Sequence, residues 1–177
     1  MVMLLPLRDD RRGLVLTLAL SCLAMVYGCG GAPSNPSQAS APVPSQSSPP
    51  VCDPTLWDHV HEPERLLIKE RCRTVTGTLV NRHQSADGDL VMQVALDPEF
   101  ESMLNAGNRQ SLGGRLQVEA VCQAPVVKFA EAACTGFTGK VPIPPDGTRV
   151  QITGTVVHDF NHGWIEIHPV SVMTVVR

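Results

Sequence analysis

The chain has 177 residues, of which 14 are basic and 17 are acidic, so its formal charge at neutral pH is −3. Aromatic residues make up only 4% of it. A protein that binds DNA or RNA needs lysines and arginines that contact phosphates. Few basic residues, with no basic run after residue 28, therefore argue against a nucleic-acid-binding protein.

Residues 1–28 have the three parts of a bacterial lipoprotein signal peptide. Three arginines precede an apolar segment that covers roughly residues 13–26. Gly28 puts a small residue before Cys29, which we expect to be the lipid-bearing first residue of the mature chain. The apolar segment has about half to three-quarters of the roughly 20 residues that span a bilayer, so a permanent transmembrane anchor is the weaker alternative.

Two details of the signal peptide leave alternatives open. Cys22 follows the small residue Ser21, but cleavage there would leave a very short apolar segment, and Tyr27 is unusual two positions before a lipid acceptor. Arg11 and Arg12 resemble the twin-arginine export pattern. Export by the general secretory route and export by the twin-arginine route therefore both remain possible.

Residues 29–50 are predicted to form a disordered tether. The stretch after Cys29 is mostly Gly, Ala, Pro, Ser and Gln and has no charged side chain. Such a composition cannot bury enough apolar surface to fold, and about 20 flexible residues reach about 25 Å r.m.s.. The residue after Cys29 is Gly30 and not the aspartate that is associated with inner-membrane retention. The sequence therefore predicts a protein anchored in the cell envelope, at the outer membrane if the cell has one.

Residues 51–177 have the length of one domain, which we expect to be a monomer. Removing the three arginines and two aspartates of the signal peptide leaves 11 basic and 15 acidic residues, which is a formal charge of −4. The domain contains four cysteines, an even number that suggests two disulfides in an exported chain. We favour Cys122–Cys134 and Cys52–Cys72 among the three possible connectivities because each closes a local loop. A zinc site is the alternative, although no CxxC pair occurs.

Alternating apolar and polar residues predict a β-rich fold. Segments 75–80 and 152–157 each carry threonines on one face, and Gly77 and Gly154 within them indicate a bend or a close backbone approach. Further strands are predicted at Leu90–Leu96, 115–121 and Trp164–Val175. Five strands and one short helix predict an all-β, OB-like barrel, and a small β-sandwich is the alternative.

The short helix is predicted to start at Asp97. Asp97 would be the N-cap and Pro98 the first helical residue, and Gly107 would end the helix. An apolar stripe supports it, made of Phe100, Met103 and Leu104. Loops are predicted at 81–89 and 142–147, and segment 54–71 is compatible with either a helical turn or a leading strand.

The densest candidate site lies on the last predicted strand. Strand geometry puts Ile165 and Ile167 towards the core and four other side chains on the opposite face. These four are His162, Trp164, Glu166 and His168. An aromatic ring, a carboxylate and imidazoles on one face can bind a ligand, a metal or a peptide. The alternative is structural, with Trp164 covering the barrel end and the polar groups hydrogen-bonded for packing.

A second cluster contains Trp57, Asp58, His59 and His61. In an extended segment the two histidines share a face and have a spacing that can ligate zinc or copper. Since most such histidines bind nothing, we predict no metal and no cofactor. The remaining histidines, His83 and His158, have no comparable neighbours.

A third segment is Asp87-Gly88-Asp89. It resembles the calcium-holding segment of micrococcal-type nucleases, but Leu90 stands where those proteins have a hydroxyl residue. Asp-Gly is also a common hairpin turn, which is the simpler interpretation. No nucleophile–histidine–acid order occurs in a supporting motif, so no catalytic residue is predicted.

Several of these segments together resemble an uncharacterised bacterial family of exported, OB-like domains that ends in an H-G-W-x-E-I-H-P segment. The matching segments are 57–60, Cys72, 75–78, 87–89, Val118-Glu119, Cys122, Cys134, 162–164 and 166–169. The resemblance implies a small extracytoplasmic module and brings no established activity. Leu90-Val91 and His158 depart from the residues usual in the family, which weakens any site that depends on them.

These observations predict a lipid-anchored, extracytoplasmic binding or interaction module without catalytic activity. Its ligand is unknown, and an envelope protein and a small molecule are both candidates. One alternative is an envelope hydrolase that uses Trp164, Glu166, His168 and His59. Another is a metal-binding protein that uses the histidines of the second cluster. The two densest clusters form one site only if 57–61 and 162–168 meet in the fold.

Overall fold

The computed structural model describes residues 51–177. The predicted signal peptide, Cys22, Cys29 and the tether lie outside the described residues. The described domain is mostly β, with five strands in a closed barrel. The strands are β1 (Leu66–Gln84), β2 (Leu90–Leu96), β3 (Leu116–Ala120), β4 (Arg149–Asp159) and β5 (Trp164–Val175). The predicted all-β fold with five strands is therefore confirmed.

The barrel closes because β1 is long enough to pair on both sides. Its first part pairs with β4 and its last part with β2, and the register shifts between Leu79 and Asn81 and again near Glu70. The strand order is β1-β2-β3-β5-β4. All neighbours are antiparallel except β3 and β5, which are parallel. The loop predicted at 81–89 begins later in the structure, because β1 continues to Gln84.

Both glycines predicted to allow a close backbone approach do so. A Cβ atom on Gly77 would lie 2.4 Å from the carbonyl oxygen of Ala95, and one on Gly154 would lie 2.5 Å from the carbonyl oxygen of Pro169. Any larger residue would push β1 away from β2, or β4 away from β5. The two matching glycine-containing segments therefore mark tight places in the barrel wall.

The barrel interior is filled by aliphatic side chains from all five strands. Its fully buried members include Val75, Leu79, Met92, Ile152 and Ile167. A second apolar cluster covers one end of the barrel, and its buried members are Val60, Leu66, Val121, Cys122 and Val157. The strand β3 is buried on both faces, so its polar residues have no access to bulk water except at the barrel end.

The predicted helix after β2 is present but ends before Gly107. Pro98–Met103 is a 3-10 helix that begins as predicted, with Asp97 at the N-cap position and Pro98 as its first residue. The side chain of Asp97 binds Thr76 and Arg149 and makes no capping hydrogen bond. Gly107 lies within a separate helix, α1 (Ala106–Ser111), where its missing side chain allows contact with Gly163. A second short α-helix, α2 (Glu131–Cys134), also went unpredicted. Further 3-10 helices are Pro54–His59, Pro63–Arg65 and Lys128–Ala130.

Both favoured disulfides are present. Cys52–Cys72 ties the segment before the 3-10 helix Pro54–His59 to β1, and Cys122–Cys134 ties the residues after β3 to α2. The undecided segment 54–71 contains this helix and the start of β1 at Leu66. Within residues 51–177, no helix has the length and apolar character needed to cross a bilayer.

Candidate functional site

Four ionisable side chains meet beneath one end of the barrel wall, and we call them the acid–histidine cluster. They are Asp89, Glu119, Glu166 and His168, with 1%, 6%, 0% and 0% of their surfaces exposed. Asp89 directly precedes β2, Glu119 lies on β3, and the other two lie on β5. The pairing of β2 with β3 and of β3 with β5 brings these three strands side by side.

The imidazole of His168 is the centre of the cluster. Its Nδ1 lies 3.3 Å from Oε1 of Glu166, with which it is hydrogen-bonded, and 3.2 Å from Oε2 of Glu119. On the other side of the ring, Nε2 lies 3.2 Å from Oδ2 of Asp89. That second contact does not have hydrogen-bond geometry, and both of its atoms are fully buried without a hydrogen-bond partner. The contact is therefore described as an ion pair.

Each carboxylate of the cluster is fixed by a donor on the side away from His168. The backbone N–H of Cys122 donates to Oδ1 of Asp89 over 2.9 Å. The side-chain amide of Gln117 donates to Oε1 of Glu119 over 2.6 Å and to Oε2 of Glu166 over 3.3 Å. The second oxygen of each acid is thereby directed at the imidazole.

Trp164 connects the cluster to the surface. Its indole N–H donates to Oε2 of Glu166 over 2.9 Å, and its ring stacks on His162 with the centroids 4.5 Å apart. His162 in turn contacts the buried carboxylate of Asp159 through Nδ1, and Asp159 also binds Arg65. Burial would raise the pKa of Asp159, but His162 and Arg65 outweigh that effect and lower it.

The two central groups of the cluster titrate far from their ordinary values. Burial raises the pKa of Glu119 from 4.5 to about 7, and the negative charges of Glu166 and Asp89 add to that effect. Burial alone would lower the pKa of His168. The surrounding carboxylates, of which Glu119 acts most strongly, outweigh burial and raise that pKa from 6.5 to about 10. Near neutral pH, His168 is therefore protonated and Glu119 is partly protonated.

A surface pocket of about 290 Å³ opens above the cluster, and we call it the rim pocket. Glu119 is the member of the cluster that lines it. The rest of the lining is His61, Glu62, Arg65, Ser85, Ala86, Asp87, Phe129, Asn161 and His162. Basic, acidic and aromatic side chains from five separate segments thus converge on one opening.

A second pocket of about 390 Å³ lies against the Cys52–Cys72 disulfide. Trp57 and Asp58 line it together with Arg71 and Pro169. His59 and His61 face elsewhere. His59 Nδ1 lies 2.7 Å from the carbonyl oxygen of Ala133.

The structure brings together only part of the two clusters expected from the sequence. His61 and His162 line the same rim pocket, whereas Trp57 and Asp58 belong to the second pocket. Trp164, Glu166 and His168 do share a side of β5, as strand alternation predicts. That side is buried against β3 and Asp89, however, so Glu166 and His168 present no open surface.

Neither metal alternative from the sequence corresponds to a cluster in residues 51–177. His59 and His61 belong to no group of three or more residues placed to hold an ion. The cysteines are consumed by disulfides. The described residues do contain one buried group with suitable spacing and no disulfide, which is Asp89, Glu119 and His168.

Sequence reasoning missed Glu119, Gln117 and Arg65 as site residues. Gln117 and Glu119 alternate with core residues on β3, a pattern typical of a solvent-facing side. The signal that would have found them is the parallel pairing of β3 with β5, which places Gln117 opposite Glu166. That pairing is a long-range contact without a local sequence pattern. Comparison of the chain with protein-family models and with curated proteins finds no match.

We expect the free energy of unfolding, measured in a chelator so that no metal ion is bound, to fall as the pH rises from about 5 to about 9. Glu119 keeps its proton up to about pH 7 in the folded state, against 4.5 ordinarily. His168 keeps its proton up to about pH 10 in the folded state, whereas its ordinary pKa is 6.5. The folded chain therefore binds more protons than the unfolded chain across this range, so its free energy of unfolding falls with pH, by on the order of a few kcal/mol. Urea unfolding at a series of pH values measures the decline.

Glu119→Gln removes one of the two groups and the charge that raises the pKa of His168 most strongly, so it should flatten the decline between pH 4.5 and 7 and reduce it above pH 7. Glu101→Gln, at an exposed position, is the matched control and should keep the wild-type profile. A wild-type free energy of unfolding that is constant from pH 5 to 9 would contradict the expected protonation of the cluster.

Proposed function

We propose that this protein is a lipid-anchored, extracytoplasmic binding module whose ligand enters the rim pocket. The observation that carries the proposal is the convergence of His61, Arg65, Glu119 and His162 on that pocket. Their mixed charges and the exposed ring of Phe129 suit a small polar ligand with an apolar face. A few polar groups that converge in a concave site are typical of ligand-binding pockets.

The disulfides support a site of action outside the cytoplasm. Both pairs of cysteines in residues 51–177 are bonded, and disulfides persist mainly in oxidising compartments. The lipoprotein signal at residues 1–28 and the tether at 29–50 support attachment through Cys29. Such a tether would keep the domain within about 25 Å r.m.s. of the membrane surface.

The position of the polar groups favours binding over hydrolysis. A hydrolase built on Trp164, Glu166 and His168 needs these groups at a substrate cleft. None of the three lines the rim pocket, and Glu166 and His168 are fully buried. Among the residues that line the rim pocket, only Glu119 has a shifted pKa, and one such carboxyl without a positioned nucleophile is a weak basis for an enzyme.

The strand order supports assignment of the barrel to the OB-like class. A five-stranded barrel in which β1 pairs with both β2 and β4 fits that architecture, whose strand face and loops commonly hold ligands. The expected relation to exported, OB-like bacterial domains stays a proposal that rests on the segments quoted from the sequence. With 11 basic residues against 15 acidic ones after residue 28, nucleic acid is not the ligand that we propose.

The anchor is tested by Cys29→Ser in cells fed an alkyne-labelled palmitate. We expect the variant to lose the label and to leave the membrane fraction, because the thiol that receives the lipid is gone. Cys22→Ser is the matched control and should stay labelled. Labelling that survives in Cys29→Ser, or that is lost in Cys22→Ser, would contradict attachment at Cys29.

The pocket is tested by equilibrating the purified full chain with a small-molecule extract of the cell envelope and identifying retained compounds by mass spectrometry. Phe129→Ser removes the exposed ring of the rim pocket and should lower retention of the specific compounds at least tenfold, about 1.4 kcal/mol. Phe160→Ser changes a similarly exposed ring that does not line the rim pocket, with 60% exposure against 70%, and this variant should retain the compounds. Equal retention by the two variants would overturn the rim pocket as the ligand site.

A further inference from the structure

The acid–histidine cluster carries more acid than its only base can neutralise. Three carboxylates surround one imidazole, so the fully ionised cluster has two negative charges in excess even when His168 is cationic. Arg65, which lines the rim pocket beside Glu119, already binds the buried Asp159. Buried charge without a partner is costly. A bound dication would remove the excess.

Two buried atoms of the cluster face each other in an ion pair that lacks hydrogen-bond geometry. Nε2 of His168 and Oδ2 of Asp89 are both fully buried, lie 3.2 Å apart, and have no hydrogen-bond partner. Buried polar atoms of this kind call for a specific reason, and a metal ion held between them is one recognised reason. Since each atom can offer a lone pair once Nε2 has lost its proton, the pair has the chemistry of two metal ligands.

The groups around this pair have the arrangement that supports metal ligands. Nδ1 of His168 is hydrogen-bonded to Glu166 and also lies 3.2 Å from Glu119, whereas Nε2 faces Asp89 and is the nitrogen left to coordinate. A histidine that binds a metal commonly donates its other N–H to a carboxylate in this way. The backbone of Cys122 and the amide of Gln117 hold the remaining oxygens of Asp89 and Glu119 in place.

We propose that Asp89, Glu119 and His168 bind a divalent transition-metal ion, with Glu166 as the hydrogen-bonding partner of the ligating imidazole. Each of the three residues offers one ligand atom, and these atoms lie within 4.8 Å of one another. One imidazole with two carboxylates is a mixed nitrogen and oxygen set that suits Zn²⁺ or Mn²⁺ better than Ca²⁺, which prefers oxygen alone.

The ion enters through the rim pocket, where Glu119 forms part of the lining. On binding, a metal–nitrogen bond replaces the Nε2–H bond of His168, and that proton leaves to solvent together with any proton held by Glu119. Three protein ligands leave a coordination position for water or for the pocket ligand. The use of the rim pocket as the entrance rests on the proposed function. The metal ion would be one of the ligands bound at that site.

The test is calorimetric titration of the full chain, purified in detergent and stripped by a chelator, with ZnCl₂ and separately with MnCl₂. We expect one ion per chain for at least one of the two metals, with micromolar or tighter affinity. Asp89→Asn should weaken binding at least tenfold, and Glu166→Gln should weaken it about 10- to 100-fold through the imidazole. Asp58→Asn and His83→Gln alter exposed positions away from the cluster and should bind like wild type.

X-ray absorption on the zinc-loaded wild-type protein identifies the ligand atoms of the ion directly, so it does not depend on whether the variants fold. The expected ligand shell has one imidazole nitrogen and otherwise oxygen. Absence of stoichiometric Zn²⁺ or Mn²⁺ binding, unchanged binding in folded Asp89→Asn, or a shell with two or more imidazoles would overturn the inference. If metal binding fails while Phe129→Ser still abolishes retention of the pocket compounds, the metal site falls and the proposed pocket function stands.

Discussion

The arrangement on which the site depends is a single imidazole that holds three buried carboxylates together. His168 is fully buried and lies within 3.3 Å of an oxygen of Asp89, Glu119 and Glu166. Carboxylates in a protein interior repel one another and lose their hydration, so they persist only with a compensating charge and hydrogen bonds. His168 supplies the charge, and it thereby links the start of β2 to β3 and β5 at the point where the two parallel strands meet.

Local structure around the cluster keeps Asp89 in place. The Asp-Gly turn between β1 and β2 has Gly88 at φ +93°, and a Cβ atom there would lie 3.4 Å from Sγ of Cys134. The Cys122–Cys134 disulfide closes over this turn, and the backbone N–H of Cys122 holds the carboxylate. The Asp-Gly turn thus positions the buried carboxylate of Asp89. Because the Cys122–Cys134 disulfide packs on this turn, the geometry of the site depends on the disulfide being formed.

The sequence was informative where the pattern is local and uninformative where contacts are distant. Alternation located β2 and β5, cysteine spacing favoured the observed disulfides, and Gly77 and Gly154 indicated close backbone approaches. Alternation also grouped Trp164, Glu166 and His168 on one face, but it could not tell that this face is buried. That outcome depends on the parallel pairing of β3 with β5, which follows a connection of more than 40 residues and has no local signature. Glu119 was missed for the same reason.

The most direct test of this account is a double-mutant cycle on His168 and Glu166, measured by urea unfolding at constant pH in a chelator. His168→Gln alone should cost about 3–5 kcal/mol, because it leaves buried carboxylates without their counter-charge. Glu166→Gln should then cost clearly less in the His168→Gln background than in the wild-type chain. A loss below about 1 kcal/mol for His168→Gln, with additive effects of the two substitutions, would contradict the claim that this imidazole holds the cluster together.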